Sequence, residues 1–124
     1  MKPRATVFVI EDNAPLRAAT QLFLELDGYT VVTQQRASDA LDSLRGGAKA
    51  DVILLDLMMP GTDGFQFREE QLADPTLAHI PLVVWTGQFL SPTHIERLRG
   101  AAVLPKPADP ETVLQTIATL LRRQ

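Results

Sequence analysis

The sequence predicts an α/β domain, an open five-stranded parallel sheet with helices on both faces. Three observations carry this. Short, continuously apolar runs alternate along the chain with segments whose apolar residues recur at helical spacing. The runs lack the in-out alternation of a strand with one wet face, so they suit a parallel sheet covered on both sides. Five such strand-helix pairs fit within 124 residues, which is the layout of consecutive βα units.

The first apolar run, 6–10, reads as a strand. Behind it Leu16, Ala19, Leu22, Phe23 and Leu26 mark a helix with one stripe to bury. Asp12 or Asn13 can cap its start, with Pro15 close behind where a missing N–H costs nothing, and Gly28 can stop it. Residues 29–33 form a second, less uniformly apolar strand. Ser38 is the expected cap of a helix carrying Ala37, Ala40, Leu41 and Leu44, closed by Gly46 in the left-handed conformation. Residues 52–55 are the third strand. Gly64–Ala73 reads as a helix with a ragged stripe, since Phe65, Phe67 and Leu72 are interleaved with Arg68 and Gln71. The fourth strand is 82–85. Ser91 and Pro92 open a helix that Gly100 ends, 101–104 is the fifth strand, and Asp109 and Pro110 open a last helix bearing Val113, Ile117, Leu120 and Leu121. There is no internal repeat, low-complexity tract or linker.

Composition agrees with one domain spanning 1–124. The chain has 22% charged and 45% hydrophobic residues and no cysteine, and at this length a fold buries roughly two thirds of its unfolded surface without a disulfide or structural metal. A net charge of −3, with 12 basic against 15 acidic residues, gives no pull toward nucleic acid or an anionic membrane. No apolar run approaches the ~20 residues that span a bilayer, and 7–10 is too short for a signal-peptide core. A cytoplasmic protein is expected, and the missing cysteines agree.

In an open parallel sheet, ligands bind outside the carboxyl ends of the strands where strand order reverses. The residues there are Glu11 and Asp12 after the first strand, Asp56 at the end of the third, Trp85 and Thr86 at the end of the fourth, and Lys106 after the fifth. Each has a plain structural reading: Asp12 as a helix cap, Asp56 as a loop-forming acid, Thr86 as a turn hydroxyl, Lys106 as a solvated lysine. Their conjunction on one rim outweighs those readings. Three carboxylates close together must hold a proton, pair with a cation or bind a metal. Lys106 offsets one charge, and Mg²⁺ suits the remaining all-oxygen set. Zinc does not, because cysteine is absent and neither His79 nor His94 stands at a strand end. A Mg²⁺ site with an ammonium and a hydroxyl is equipment for holding a phosphoryl group. With no glycine-rich cradle for a nucleotide, that group must come from another molecule, and an Asp can accept it covalently.

These residues resemble the receiver domain of two-component response regulators. The matching stretches are Val9-Ile10-Glu11-Asp12-Asn13, Leu54-Leu55-Asp56-Leu57-Met58-Met59-Pro60-Gly61-Thr62-Asp63-Gly64, Val83-Val84-Trp85-Thr86-Gly87 and Leu104-Pro105-Lys106-Pro107. They run in the family's order over nearly the whole chain. The resemblance implies a flavodoxin-like sheet in the order 2-1-3-4-5 and makes Asp56 the phosphoacceptor. It implies Mg²⁺ on Asp12, Asp56 and the backbone carbonyl of Met58, with Glu11 acting mostly through metal-bound water. Lys106 would pair with Asp56 and then with the phosphoryl oxygens, and Thr86 would swing toward the phosphoryl group. Gly87 leaves room beside the site, Met58 and Gln88 would flank the phosphoryl group, and the peptide bond before Pro107 is one that is often cis in the family.

The sequence departs from the family in three places. Val103 stands where an aromatic residue is common, the stretch from Thr86 to Lys106 is about two residues short, so that the fourth helix is expected to be truncated or displaced, and Ala108 replaces a common Phe whose bulk Phe89 or Trp85 could supply. Trp85, the only tryptophan, is expected to fill the core and to report on Thr86.

The resemblance implies a stand-alone phosphorylation-driven switch, since the chain ends just past its last helix. Its phosphoryl donor would be a histidine kinase or a histidine phosphotransfer protein, its output a changed surface for a target protein the sequence does not name. A phosphorylation-dependent homodimer is compatible with it; direct nucleic-acid or membrane binding is not expected. Phosphoryl acceptance and autodephosphorylation would be self-catalysed, so the protein is not a conventional enzyme. A phosphatase of the haloacid dehalogenase type would need a second Asp two residues after Asp56, where Met58 stands. A receiver-like module that is never phosphorylated and binds partners constitutively is the alternative.

Overall fold

The structure is a computed structural model and describes residues 4–57, 64–87 and 89–122. The elements alternate without exception: β1 (Thr6–Ile10), α1 (Ala14–Leu26), β2 (Thr30–Gln34), α2 (Ala37–Arg45), β3 (Val52–Asp56), α3 (Gly64–Ala73), β4 (Leu82–Thr86), α4 (Pro92–Arg97), β5 (Ala102–Pro105) and α5 (Pro110–Arg122). All strands are parallel, in the order β2-β1-β3-β4-β5. The order reverses between β1 and β3, which places the carboxyl ends of those two strands at the switch point. Every expected strand is present. The third and fourth extend one residue further, to Asp56 and Thr86, and the second and fifth are displaced by one residue toward the C-terminus.

The strands are apolar on both faces because each face has its own core. On one side Phe8, Ile10, Ile53, Leu55, Leu82 and Val84 pack with Ala37, Ala40, Leu41 and Leu44 of α2, Phe67 of α3 and Leu98. On the other Val7, Val9, Val52, Leu54, Val83 and Trp85 pack with Leu24 of α1 and with Val113 and Ile117 of α5. Odd and even positions of a strand point to opposite faces, so Asp56, in the parity of Leu54, lies on the α1/α5 side.

Local signals account for most helix ends. Asn13 caps α1, its Oδ1 accepting from Leu16 N at 2.9 Å. Ser91 caps α4 through a reciprocal box in which its Oγ accepts from His94 N and His94 Nδ1 accepts from Ser91 N, both at 3.2 Å. Asp109 Oδ1 accepts from Thr112 N at 2.9 Å at the start of α5. Ser38 does not cap α2: the cap position is Arg36, without a side-chain bond, and Ser38 lies inside the helix. The left-handed residue after α2 is Gly47 (φ 104°) rather than Gly46 (φ −79°). In α1 the buried residues are Thr20 and Leu24, while Leu22 and Leu26 face solvent. Thr20 can be buried because its hydroxyl donates to Leu16 O at 2.7 Å, which rotates the inward stripe away from the purely apolar one. Helix α4 has only six residues, as the shortened spacing predicts.

Helix α3 buries charge. Arg68 donates from Nε to Leu98 O (2.8 Å), from one terminal nitrogen to Arg99 O (2.9 Å) and from the other to Gln71 Oε1 (2.9 Å). Gln71 in turn donates to Leu77 O and Ile80 O. Among the described residues no helix is long and apolar enough to cross a membrane.

Candidate functional site

The rim at the carboxyl ends of β1, β3, β4 and β5 collects the residues expected there. Glu11 leaves the end of β1 and is buried; Asp12 beside it is exposed; Asp56 ends β3 and Thr86 ends β4, both buried. Lys106 follows β5, its backbone N–H donating to Thr86 O at 2.7 Å, and its ammonium lies 3.3 Å from Glu11 Oε1 and 3.5 Å from Asp56 Oδ2. The Lys106–Pro107 peptide bond is cis, as the resemblance implies. A Cβ on Gly87 would lie 3.8 Å from Lys106 Cβ, which is ordinary contact. Met58 and Gln88 lie outside the described residues.

Glu11, Asp12 and Asp56 each bring one carboxylate oxygen within 4.8 Å of the others. The carboxyl of Glu11 is pushed from 4.5 up to about 7, first by burial and then by its hydrogen bond to Asp56; the Lys106 ammonium works in the opposite direction. One ammonium among three carboxylates leaves a net negative charge, so the cluster holds a proton or takes a cation. Its donors are hard oxygens only, which fits Mg²⁺ and not a softer metal.

Two supporting contacts were not foreseen. Arg17 of α1 donates to Glu11 O at 2.9 Å and to Asp12 O at 3.4 Å, fixing the turn that presents both acids. An arginine in the first turn of a helix that follows an acidic pair is the only sequence trace of this. The second is made by Trp85, whose ring carries the Lys106 ammonium 5.5 Å from its centroid. Trp85 is buried in the core, as expected, and Ala108 packs against the same cluster. Phe89 is 87% exposed and therefore supplies no bulk in place of the common Phe; being in a connection just before α4, it has no sheet face to reach. Val103 is half-buried against the α2/α3 core. His94 caps α4 and stacks at 5.4 Å from the Phe65 ring, away from the acids.

Comparison with known proteins places this geometry. A family model described as the response regulator receiver domain matches residues 7–118. The chain is 29% identical over 119 residues to Protein PilH of Pseudomonas aeruginosa, covering 94% of this chain and 98% of that protein. It is 28% identical over 120 residues to the phosphate regulon transcriptional regulatory protein PhoB of the same organism, covering 95% of this chain and 52% of that protein. The chain thus spans about half the length of several curated relatives it matches. Among solved structures it is similar to the chemotaxis response regulator CheY4 of Vibrio cholerae, with a TM-score of 0.83 and 29% identity, covering 94% of this chain and 98% of that one.

Proposed function

The chain belongs to the response regulator receiver domain family, and from that premise we propose that it is a phosphoacceptor switch in which Asp56 takes a phosphoryl group from a phosphohistidine. Receiver domains work with histidine kinases or phosphotransfer proteins, and a donor of that class is the partner proposed for this one. The observation that carries the reading is the placement of Asp56 at the switch point, its carboxylate 3.5 Å from Lys106 and clustered with Glu11 and Asp12.

An oxygen of Asp56 attacks phosphorus, the P–N bond to the imidazole breaks, and the nitrogen leaves with the bonding pair, giving an acyl phosphate. Lys106 stands where its ammonium can spread the negative charge of the transferred group. Thr86, one strand away, brings a hydroxyl for a phosphoryl oxygen. Asp12 and Asp56, with the Met58 carbonyl and with Glu11 through water, would hold Mg²⁺, which when bound neutralises carboxylate and phosphoryl charge and so lets the two anions meet. Hydrolysis of the acyl phosphate by water would reset the switch, and the face around α4, β5 and α5 is the proposed output surface. The proposed domain extends over the whole chain, 1–124, and the proposed compartment is the cytoplasm.

Intact mass spectrometry after incubation with acetyl phosphate tests this, with and without Mg²⁺, beside Asp56→Ala. The expected result is a Mg²⁺-dependent gain of one phosphoryl group that the variant lacks. No gain under conditions that label an established receiver overturns the reading and leaves a constitutive binding module.

A further inference from the structure

Among the described residues, Glu11 Oε1 at 3.3 Å, Asp56 Oδ2 at 3.5 Å and the face of the Trp85 ring at 5.5 Å face the Lys106 ammonium. The two carboxylates belong to the acid cluster, and any cation that the cluster takes competes with Lys106 for them. The ring does not titrate and is not a ligand for a hard metal. Its negative face is a partner that the ammonium keeps whatever the acids bind.

The sheet register builds this contact. Asp56 of β3 lies beside Trp85 of β4, and Trp85 lies beside Leu104 of β5, two residues before Lys106. The strand that carries the indole therefore lies between the strand that ends in the acceptor and the strand that leads to the lysine. Trp85 also closes the rim from below: with Val9, Thr20 and Leu54 it lines a hollow under Glu11 and Asp56 that has no room for a water molecule.

The chemistry of the indole points the same way. Its N–H is buried and finds no acceptor among the described residues, a state that costs free energy. An aliphatic side chain would be apolar there without an orphaned donor. What it would not supply is the ring face toward Lys106. The Lys106 side chain is 23% exposed, so without that face its flexible stem is free to swing toward water.

We propose that Trp85 is a positioning residue for the reaction, its ring face holding the Lys106 ammonium over the rim within reach of Asp56. The inference rests on the reading of Asp56 as phosphoacceptor only for its kinetic consequence. The contact itself is tested separately.

The experiment compares the full chain with Trp85→Phe, Trp85→Leu and Lys106→Ala, alone and combined. In the proton NMR spectrum the ring should move the Lys106 ε-methylene resonance upfield; the shift should be smaller in Trp85→Phe and absent in Trp85→Leu. Mg²⁺-dependent labelling by acetyl phosphate should be roughly 3- to 10-fold slower in Trp85→Leu and nearly normal in Trp85→Phe. In a Lys106→Ala background, Trp85→Leu should have no further effect. An unshifted ε-methylene in the parent protein overturns the proposal, as does equal slowing by Trp85→Leu in both backgrounds, which would mark a purely structural role. Unchanged labelling by Trp85→Leu in the parent background does the same. If the parent takes no phosphoryl group, the reading of Asp56 fails while the NMR arm still decides the contact. If Trp85→Leu does not fold, Trp85→Met takes its place as the ring-free variant.

Discussion

Arg68 Nε on α3 stands 2.8 Å from the carbonyl oxygen of Leu98, the residue that closes α4. Arg68 is 7% exposed and has no carboxylate partner among the described residues; burial alone lowers the pKa of its guanidinium from the ordinary value. Its charge is met instead by Leu98 O, Arg99 O and Gln71 Oε1. A helix C-terminus presents unpaired carbonyls and partial negative charge, and a cation fits there. The short α4 is thereby tied to α3 at its far end from the rim.

Arg68→Met should destabilise the fold by about 2–3 kcal/mol, because it leaves buried carbonyls without donors. Arg68→Lys should recover little, since one ammonium does not reproduce the planar fork. Urea unfolding measures the loss as a lowered midpoint at unchanged slope, and amide exchange at residues 98–101 should accelerate more than in the strands.

Glu11 gives a pH dependence to the metal-free protein. Its folded pKa, about 7, lies above its ordinary 4.5, so between those values the folded chain holds a proton that the unfolded chain has released. The stability this supplies is fully present below pH 4.5 and is lost as pH rises through 7, on the order of 3 kcal/mol in all. Asp74 and Asp109, held below 3.8 by hydrogen bonds within their turns, act with the opposite sign and only at more acid pH. In EDTA, Glu11→Gln should flatten thermal stability between pH 4.5 and 7 and exceed the parent at pH 8. A parent-like slope in the variant would contradict this assignment.

Added Mg²⁺ should raise the melting temperature with the logarithmic concentration dependence of a ligand bound only by the folded state. Asp12→Asn should remove most of that rise while leaving the EDTA baseline within about 0.5 kcal/mol, because Asp12 is exposed. Differential scanning fluorimetry across a Mg²⁺ titration reads both, and excess EDTA should return the parent to its baseline.

Gly64 opens α3 directly against the end of β3, where an added Cβ would collide with Leu57 Cδ2 and lie 3.4 Å from Leu57 Cα. Gly64→Ala should cost about 1–3 kcal/mol as an overpacking substitution. Because Leu57 follows Asp56, labelling by acetyl phosphate should also slow, measured at a temperature where the variant is fully folded.

The sheet and the rim were largely legible because both are written in contiguous residues. Runs such as those around Phe8, Leu54 and Val84 have no polar position, so they read as doubly covered strands, and Glu11, Asp56, Thr86 and Lys106 end or follow such runs. What escaped was set by side-chain hydrogen bonds and by packing, which hydropathy does not record. The raggedness of Gly64–Ala73 is the trace of Arg68 and Gln71, which turn inward because carbonyls thirty and six residues away receive them. Thr20 is inside and Leu22 outside for a similar reason: a backbond from Thr20 satisfies its hydroxyl, and hydropathy alone cannot register that. Ser38 had the chemistry of a cap but stands two residues beyond the cap position. The bond from Arg17 to the acidic turn and the ring of Trp85 beneath Lys106 depend on side-chain reach and sheet register, neither of which a one-dimensional pattern encodes.

β5 is an outermost strand, and its last residue is Pro105. Since Lys106 N bonds inward to Thr86 O, the alternation along the strand turns positions 103 and 105 outward. Proline has no N–H, so this margin of the sheet offers a newcomer the amide of Val103 and no second donor within the strand. A foreign β-segment needs a row of such donors to zip on. On this side one imino acid removes a donor that edge-to-edge polymerisation would use.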